Sequence, residues 1–394
     1  MKLLTGLGVL VLVLLGLAWL WRRRGGANRS GPSGPSAPPM SPKAPKPPGP
    51  RPLAAPAQAP AASAPPRGDS ALSPPPPAAP PAALAELRWV PRASLSEGRQ
   101  RAIVAALQRV PQPSRALHQL IAPDFLAQAS SSDLADLIQG EPQVAAKVLA
   151  AVNSPLFGLQ APVLSIGPAV TYLGLNTVRG ICLRYMMEDA FQAGDPAVKR
   201  YFDQVWGAST LASELSLRLA QSCHLPDPGA LSTQVLLSFL GRLAMASLLP
   251  SATLLALADQ DLLTRCRREQ AELGLCASEV GALLMQAWQL PEPLIQHVNA
   301  IDQLLCSPPP RPLSPGSQRQ ALAYLGARLG ERLMWGRLQP ADAAQQVLGP
   351  DPDFFYLQQH WQGRALAGVP AWLASPDWQR SLSPLCQALQ AGLR

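Results

Sequence analysis

Twenty prolines fall between Pro32 and Pro81, four of them in a row at Pro74 to Pro77. No other feature restricts the fold so severely. Proline has no backbone N–H and a fixed φ, so neither a helix interior nor a sheet ladder tolerates this density. Few aromatic or β-branched residues accompany the prolines, which leaves little from which to build a core. Residues 25–85 are therefore expected to be a disordered Pro/Ala-rich linker, extended as polyproline II and semi-rigid. Fifty such residues reach on the order of 100 Å. PxxP spacings for a Pro-recognising partner occur throughout, but at this proline density they arise by chance. A globular fold has to come from the chain beyond.

The segment before the linker is of another kind. Leu3 to Trp21 is an uncharged run of 19 residues, roughly 28 Å as a helix, about one hydrocarbon core. Lys2 precedes it. Trp19 and Trp21 close it, where aromatic rings favour the interface, and Arg22, Arg23 and Arg24 follow at once. A cleaved signal peptide needs a shorter apolar core and a small-x-small cleavage site. Here Trp-Leu-Trp-Arg-Arg-Arg stands at that place. The reading is a transmembrane anchor with a basic stop over residues 1–24, single-pass, with the C-terminal bulk in the cytoplasm.

The net charge of +8 belongs to this tail. Nine of the 33 basic residues and one of the 25 acidic residues precede residue 83, leaving 24 of each behind. The folded part has no excess of positive charge, so nucleic acid is not an expected partner. A flexible basic segment beside a membrane is attracted to anionic lipid heads. The six cysteines, Cys182, Cys223, Cys266, Cys276, Cys306 and Cys386, form no CxxC pair. They read as small buried apolar residues in a reducing compartment.

From about Gly98 the apolar residues take helical spacing. Leu134, Leu137 and Ile138, then Val144, Val148, Leu149 and Val152, recur at steps of three and four. Ser130 to Ser132 offer an N-cap and Gly140 a stop. Pro142 suits a first turn, with Glu141 as a weak cap before it. Asn153, tolerant of the left-handed conformation, and Pro155 end the second helix. Further helices are expected at about 99–109, 166–190, 197–223, 229–248, 252–273, 277–288, 291–304, 316–337, 341–348 and 353–364. No alternating strand pattern stands out. The body should be an all-α bundle with short connections. The final segment, with Phe354, Phe355, Trp361, Trp372 and Trp378 amid prolines, reads as an irregular helical cap. Whether those aromatics form an exposed partner site stays open.

Three blocks carry a family resemblance. Leu134 to Ser154 shows an apolar helix, a Glu141-Pro142 turn, a second helix and an Asn153-Ser154 stop. Ile166 to Gly174 ends in Leu173-Gly174. Glu279 to Leu284, with Gly281, is followed by Trp288, Leu290 and Pro291. In this order they resemble the HDOD (HD-related output domain) family of bacteria over about residues 108–302. The resemblance implies an HDOD-like helical domain over 95–305 and a C-terminal helical extension, 306–394, packed on it. Gly241 and Gly281 then read as close helix approaches. Trp206 and Trp288 read as core aromatics whose indole N–H seeks a partner.

The same resemblance exposes what is missing. Ala208 follows Trp206 where many relatives carry His. Ser238-Phe239 stand for His-Asp, Ala277 for a His before the Glu-Val-Gly helix, and Ile301-Asp302 for a His-His pair. Independently, a catalytic metal needs several converging His or carboxylate ligands. The chain has only His118, His224, His297 and His360, and no two share a helix face. Nucleophile signatures of the GxSxG, SxxK and P-loop kinds are absent. Arg179, Arg184 and Lys199-Arg200 offer an anionic-ligand cluster or solvated helix faces. Arg265, Arg267 and Arg268 fit a basic exposed turn.

The expectation is a non-enzymatic signalling or scaffold module at the bacterial inner membrane, with no cofactor and no catalytic metal. Its partner would be a cytoplasmic signalling or envelope-associated protein. Three alternatives stay open. They are an HD or HD-GYP phosphohydrolase acting on a cyclic dinucleotide, a nucleotide-binding receptor without turnover, and a domain facing the periplasm.

Overall fold

A computed structural model of the protein describes residues 79–154, 161–361 and 366–391. The expected anchor and all but the last residues of the expected linker lie outside them. The described residues are helical, with no strand among them.

Packing starts before the helical periodicity does. Ala82–Ala85 forms a one-turn helix, α1, and Leu84 and Leu87 are buried. Residues 82–85, expected as linker, thus belong to the folded body. Two buried leucines stabilise this start by about 1.5–3 kcal/mol each. Trp89 and Arg92 anchor the next stretch to Glu279: the indole N–H and the Arg92 backbone N–H donate to its carboxylate at 3.0 and 3.2 Å.

Helices α2 (Glu97–Leu107), α3 (Arg115–Leu120) and α4 (Pro123–Gln128) lead into the hairpin α5 (Ser131–Gln139) and α6 (Pro142–Val152). Ser130 closes a capping box with Asp133 at the start of α5, satisfying donors that a helix start leaves free. Glu141 caps α6 without a side-chain hydrogen bond. Leu134, Ile138, Val144, Val148 and Val152 are all buried, one stripe per helix.

Asn153 ends α6 by another route than expected. Its φ is −81°, not left-handed. Instead its amide donates to Leu149 and Val163 carbonyls at 2.9 and 2.7 Å, while Oδ1 accepts the Val163 N–H at 2.7 Å. The side chain ties the return of the chain to the helix end.

The long helix expected over 166–190 is broken into α7 (Ile166–Leu173) and α8 (Leu175–Glu188) by Gly174, at φ +84°. Without a Cβ, glycine takes this corner freely. Next come α9 (Pro196–Ser222), α10 (Pro228–Ser238) and α11 (Leu240–Ala244). The expected 229–248 helix is thus interrupted at Phe239. The stretch Pro228–Ser247 is long and apolar enough to cross a membrane, but most of it is buried within the protein, as a core element is.

The expected helix 252–273 is two, α12 (Ser251–Ala258) and α13 (Leu262–Leu273), separated where Asp261 caps α13 by accepting the Thr264 N–H at 2.7 Å. The chain continues through α14 (Ala277–Ala287), α15 (Glu292–Gln303) and α16 (Pro315–Met334). Helices α9, α10 and α16 pack together as the centre of the bundle.

After α16 come α17 (Ala343–Leu348), α18 (Phe355–His360), α19 (Val369–Leu373) and α20 (Pro376–Ala391). The last is a regular 16-residue helix with Pro384 inside it, where an irregular cap was expected. Phe354 and Trp378 are buried, and Trp378 meets Trp372 edge-on at 5.1 Å. Phe354 and Trp378 face inward and offer no exposed partner patch, while Trp372 is partly buried.

Candidate functional site

The corner between α10 and α11 carries Ser238 and Phe239. Ser238 turns its hydroxyl back to the Val235 carbonyl at 2.7 Å, and Phe239 is buried. Two residues on, Gly241 touches α14. A Cβ on Gly241 would lie 1.9 Å from the Ala277 carbonyl oxygen, and one on Gly281 would lie 2.9 Å from the Gly241 nitrogen. The two backbones are in contact, which brings the α10–α11 corner to Ala277.

The space beside this crossing is occupied by charged side chains. Arg242 donates to Glu331 at 2.7 Å and to the Ala258 carbonyl at 3.3 Å. Arg265 grips both Glu331 oxygens. Arg328 bridges Glu331 at 2.8 Å and Asp302 at 3.1 Å. The Arg242, Arg265, Arg328 and Glu331 side chains are 3–5 % exposed. Burial alone would raise the Glu331 carboxyl, but Arg265, Arg242 and Arg328 outweigh it and hold the group well below the usual carboxylate range. A buried cluster of this kind persists only when each charge is matched and hydrogen-bonded.

Ala208 is fully buried on α9, Ile301 is buried on α15, and Ala277 is buried at the start of α14, where its N–H donates to Glu269 at 2.7 Å. Asp302, which offers the one carboxylate among these positions, is engaged by Arg328. The four histidines are dispersed: His118 is half-buried on α3, His224 and His297 are exposed, and His360 is buried on α18. None belongs to the network.

Other expectations are redistributed. Arg179 is buried and donates to the Gly229 carbonyl and the Thr233 hydroxyl. Burial lowers its pKa to about 10. Lys199 is exposed and pairs with Asp203 at 3.3 Å. Arg184 lines a cavity of about 330 Å³ between α8, α9 and α20, beside Tyr185, Thr210 and Glu214. These cations do not form one cluster. Arg265 is not on an exposed turn but in the buried network. Trp206 and Trp288 each pack against Phe191, at 6.2 and 6.0 Å. The expected partners for their indole N–H groups are not found among the described residues. Leu290 is buried and Pro291 caps α15. Ser154 donates to the Ala151 carbonyl at 2.6 Å.

Glu331, Arg328 and Arg242 escaped the sequence reading. A signal for the first two exists: α16 is apolar on every face from Ala321 to Met334 except at Arg328, Glu331 and Arg332. A helix with no solvent-facing stripe that still carries charges has to pair them internally. Among the described residues, one other group has ligand atoms close enough to share a cation: Cys266, Glu269 and Cys276, within 4.8 Å of one another.

Residues 110–304 match the model of the HDOD domain. Over these residues the chain resembles an HDOD domain. Among solved structures, an HDOD domain protein of unknown function from Geobacter sulfurreducens is similar, with a TM-score of 0.50 and 17 % identity, covering 74 % of this chain and 97 % of that one. This likeness concerns the fold alone. A protein from Shewanella amazonensis with a provisional phosphohydrolase label has a TM-score of 0.49 and 18 % identity, covering 74 % and 98 %. The MmoQ response regulator from Methylococcus capsulatus has a TM-score of 0.36 and 19 % identity, covering 70 % and 98 %. No protein of curated function matches significantly. The HDOD match ends at residue 304, so α16 lies beyond it, and Arg328 and Glu331 reach into the matched region from outside.

Proposed function

We propose that the HDOD domain is a non-catalytic signalling scaffold, tethered to the bacterial inner membrane by residues 1–24 and held in the cytoplasm. One observation carries this reading: the Arg242–Arg265–Arg328–Glu331 network lies beside the α11–α14 crossing and reaches Asp302, while Ala208, Ser238, Phe239, Ala277 and Ile301 offer no His or carboxylate. A hard divalent cation there would face the guanidinium groups of Arg242, Arg265 and Arg328, whose counter-charges Glu331 and Asp302 are already engaged, as is the Glu269 oxygen that accepts the Ala277 N–H. The tether would raise the domain's local concentration at the membrane, where a helical surface recruits a signalling or envelope-associated protein. Arg22 to Arg24 would add attraction to anionic lipid.

The test uses the full-length chain in mild detergent with added magnesium, manganese or ferrous iron. Cyclic dinucleotides and an activated phosphodiester are expected to stay intact. Metal-dependent hydrolysis that scales with protein would overturn the reading and favour the phosphohydrolase. Reporter fusions after residue 90 test the orientation.

A receptor reading is favoured by the cavity at Arg184. Among the described residues Arg184 bonds only Thr210, at 3.5 Å, and its Nε is buried without a partner. Calorimetry with cyclic dinucleotides, against Arg184→Ala, separates this from pure scaffolding. Heat of binding lost in the variant supports it, and no heat with the natural chain rejects it.

A further inference from the structure

Helix α13 and the N-cap of α14 enclose a second group of side chains that the HDOD positions do not include. Cys266 and Glu269 sit one turn apart on α13 and so share a face. Gly274, at φ +80°, ends the helix in the left-handed region and turns the chain back. Leu275 is buried, and Cys276 becomes the N-cap of α14. The thiol sulfurs and a Glu269 oxygen converge within 4.8 Å. Cys266, Cys276 and Glu269 are 1, 1 and 2 % exposed.

Among the described residues, the bonding of this group is incomplete. Glu269 Oε2 accepts the Ala277 N–H at 2.7 Å, but Oε1 is approached only by Arg265 Nε, at 3.6 Å. The Cys276 thiol reaches the Cys266 carbonyl at a long 3.8 Å. Gln270 lies against the Cys276 thiol, and the Cys266 and Cys276 thiols lie against each other. Buried polar groups left in this state are uncommon, and a bound ion is one explanation for them.

We infer that Cys266, Glu269 and Cys276 form a closed binding site for a soft divalent cation of the zinc type, with Gln270, whose side chain lies against Cys276, as the neighbouring residue able to complete it. Zinc–sulfur bonds of about 2.3 Å in tetrahedral geometry set the sulfurs about 3.8 Å apart, inside the 4.8 Å within which the three ligand atoms lie. Thiolate ligands select zinc over magnesium or calcium. The charges also balance. Binding exchanges two thiol protons, released to solvent, for one Zn²⁺, so the ion with its two thiolates adds no net charge beside Arg265. The site has no opening for water, so its role is structural: it fastens the α13–α14 turn that positions Ala277 and Gly281 against Gly241. It neither needs nor supplies hydrolysis, and its test is independent of the scaffold reading.

The experiment measures metal in the untagged full-length chain, purified with reductant and supplied with zinc or cobalt chloride. About one zinc per chain is expected, with a sulfur-to-cobalt charge-transfer band in the cobalt form. Cys266→Ser and Cys276→Ser should lose both signals, while Cys306→Ser keeps them. Zinc at background in the reduced natural chain overturns the proposal, as does zinc retained in both cysteine variants. A Cys266–Cys276 disulfide in the chain as isolated does so too. Should the two variants fail to fold, X-ray absorption on the zinc-loaded natural chain decides: two sulfur neighbours support the site, and fewer than two overturn it.

Discussion

Glu331 is one carboxylate facing Arg242, Arg265 and Arg328 in a site closed to water. Removing its charge leaves the buried Arg242 without a counterion, and Arg265 and Arg328 with Glu269 and Asp302 alone, the situation in which a buried ion pair costs most. Glu331→Gln is expected to destabilise the fold by about 3–5 kcal/mol, read as a lower urea midpoint. His360 makes a prediction about pH. It is buried, and burial lowers its pKa below the ordinary 6.5. Above pH 6.5 the ring is neutral in both folded and unfolded chains. As pH falls below 6.5, the unfolded chain takes up the proton first, so stability declines until the lower folded pKa is passed. His360→Phe should flatten this decline, and urea unfolding at pH 7.5 and 5.5 checks it. At this scale the sequence was half readable. Ser238 and Phe239 are visible at once, because which residues stand at one place in the chain is a local fact. The partners of Glu331 are not, since Arg265 and Arg242 stand 66 and 89 positions away and spacing carries no trace of that pairing.

Between elements, the tightest constraint is the crossing of α11 and α14. Gly241→Ala would drive a Cβ into the Ala277 carbonyl, which is backbone and cannot rotate aside. The helices have to separate, at a cost of about 1–3 kcal/mol or more. Gly98→Ala on α2 meets nothing within 4 Å and should be neutral or stabilising by up to about 1 kcal/mol. Thermal melts of the two variants compare them directly. The hairpin of α5 and α6 was legible because caps, proline and apolar stripe agree there. The breaks at Gly174, Phe239 and Asp261 were not, because apolar spacing runs on through each of them. Pro384 concealed α20: an internal proline removes one helical hydrogen bond, yet Trp378 and Leu382, both buried, hold the helix by packing.

On the scale of the whole molecule, the all-α class and the three HDOD blocks were readable from residue order, and the fold agrees. Residues 1–78 lie outside the described structure, and the anchor remains part of the proposal. The dependence of the domain on the C-terminal extension could not be read. A chain ending at residue 314 keeps the entire HDOD match but lacks α16, and with it Arg328 and Glu331. Such a truncation is expected to be insoluble or to lack cooperative unfolding, and circular dichroism with a melt tests it. This distance also has a consequence for synthesis. At roughly 5–20 residues per second, several seconds pass between the emergence of Arg265 and that of Glu331. Throughout that interval the nascent domain cannot close, and if the first residues have already entered the bilayer, it waits unfinished at the membrane face, where chaperones would find it.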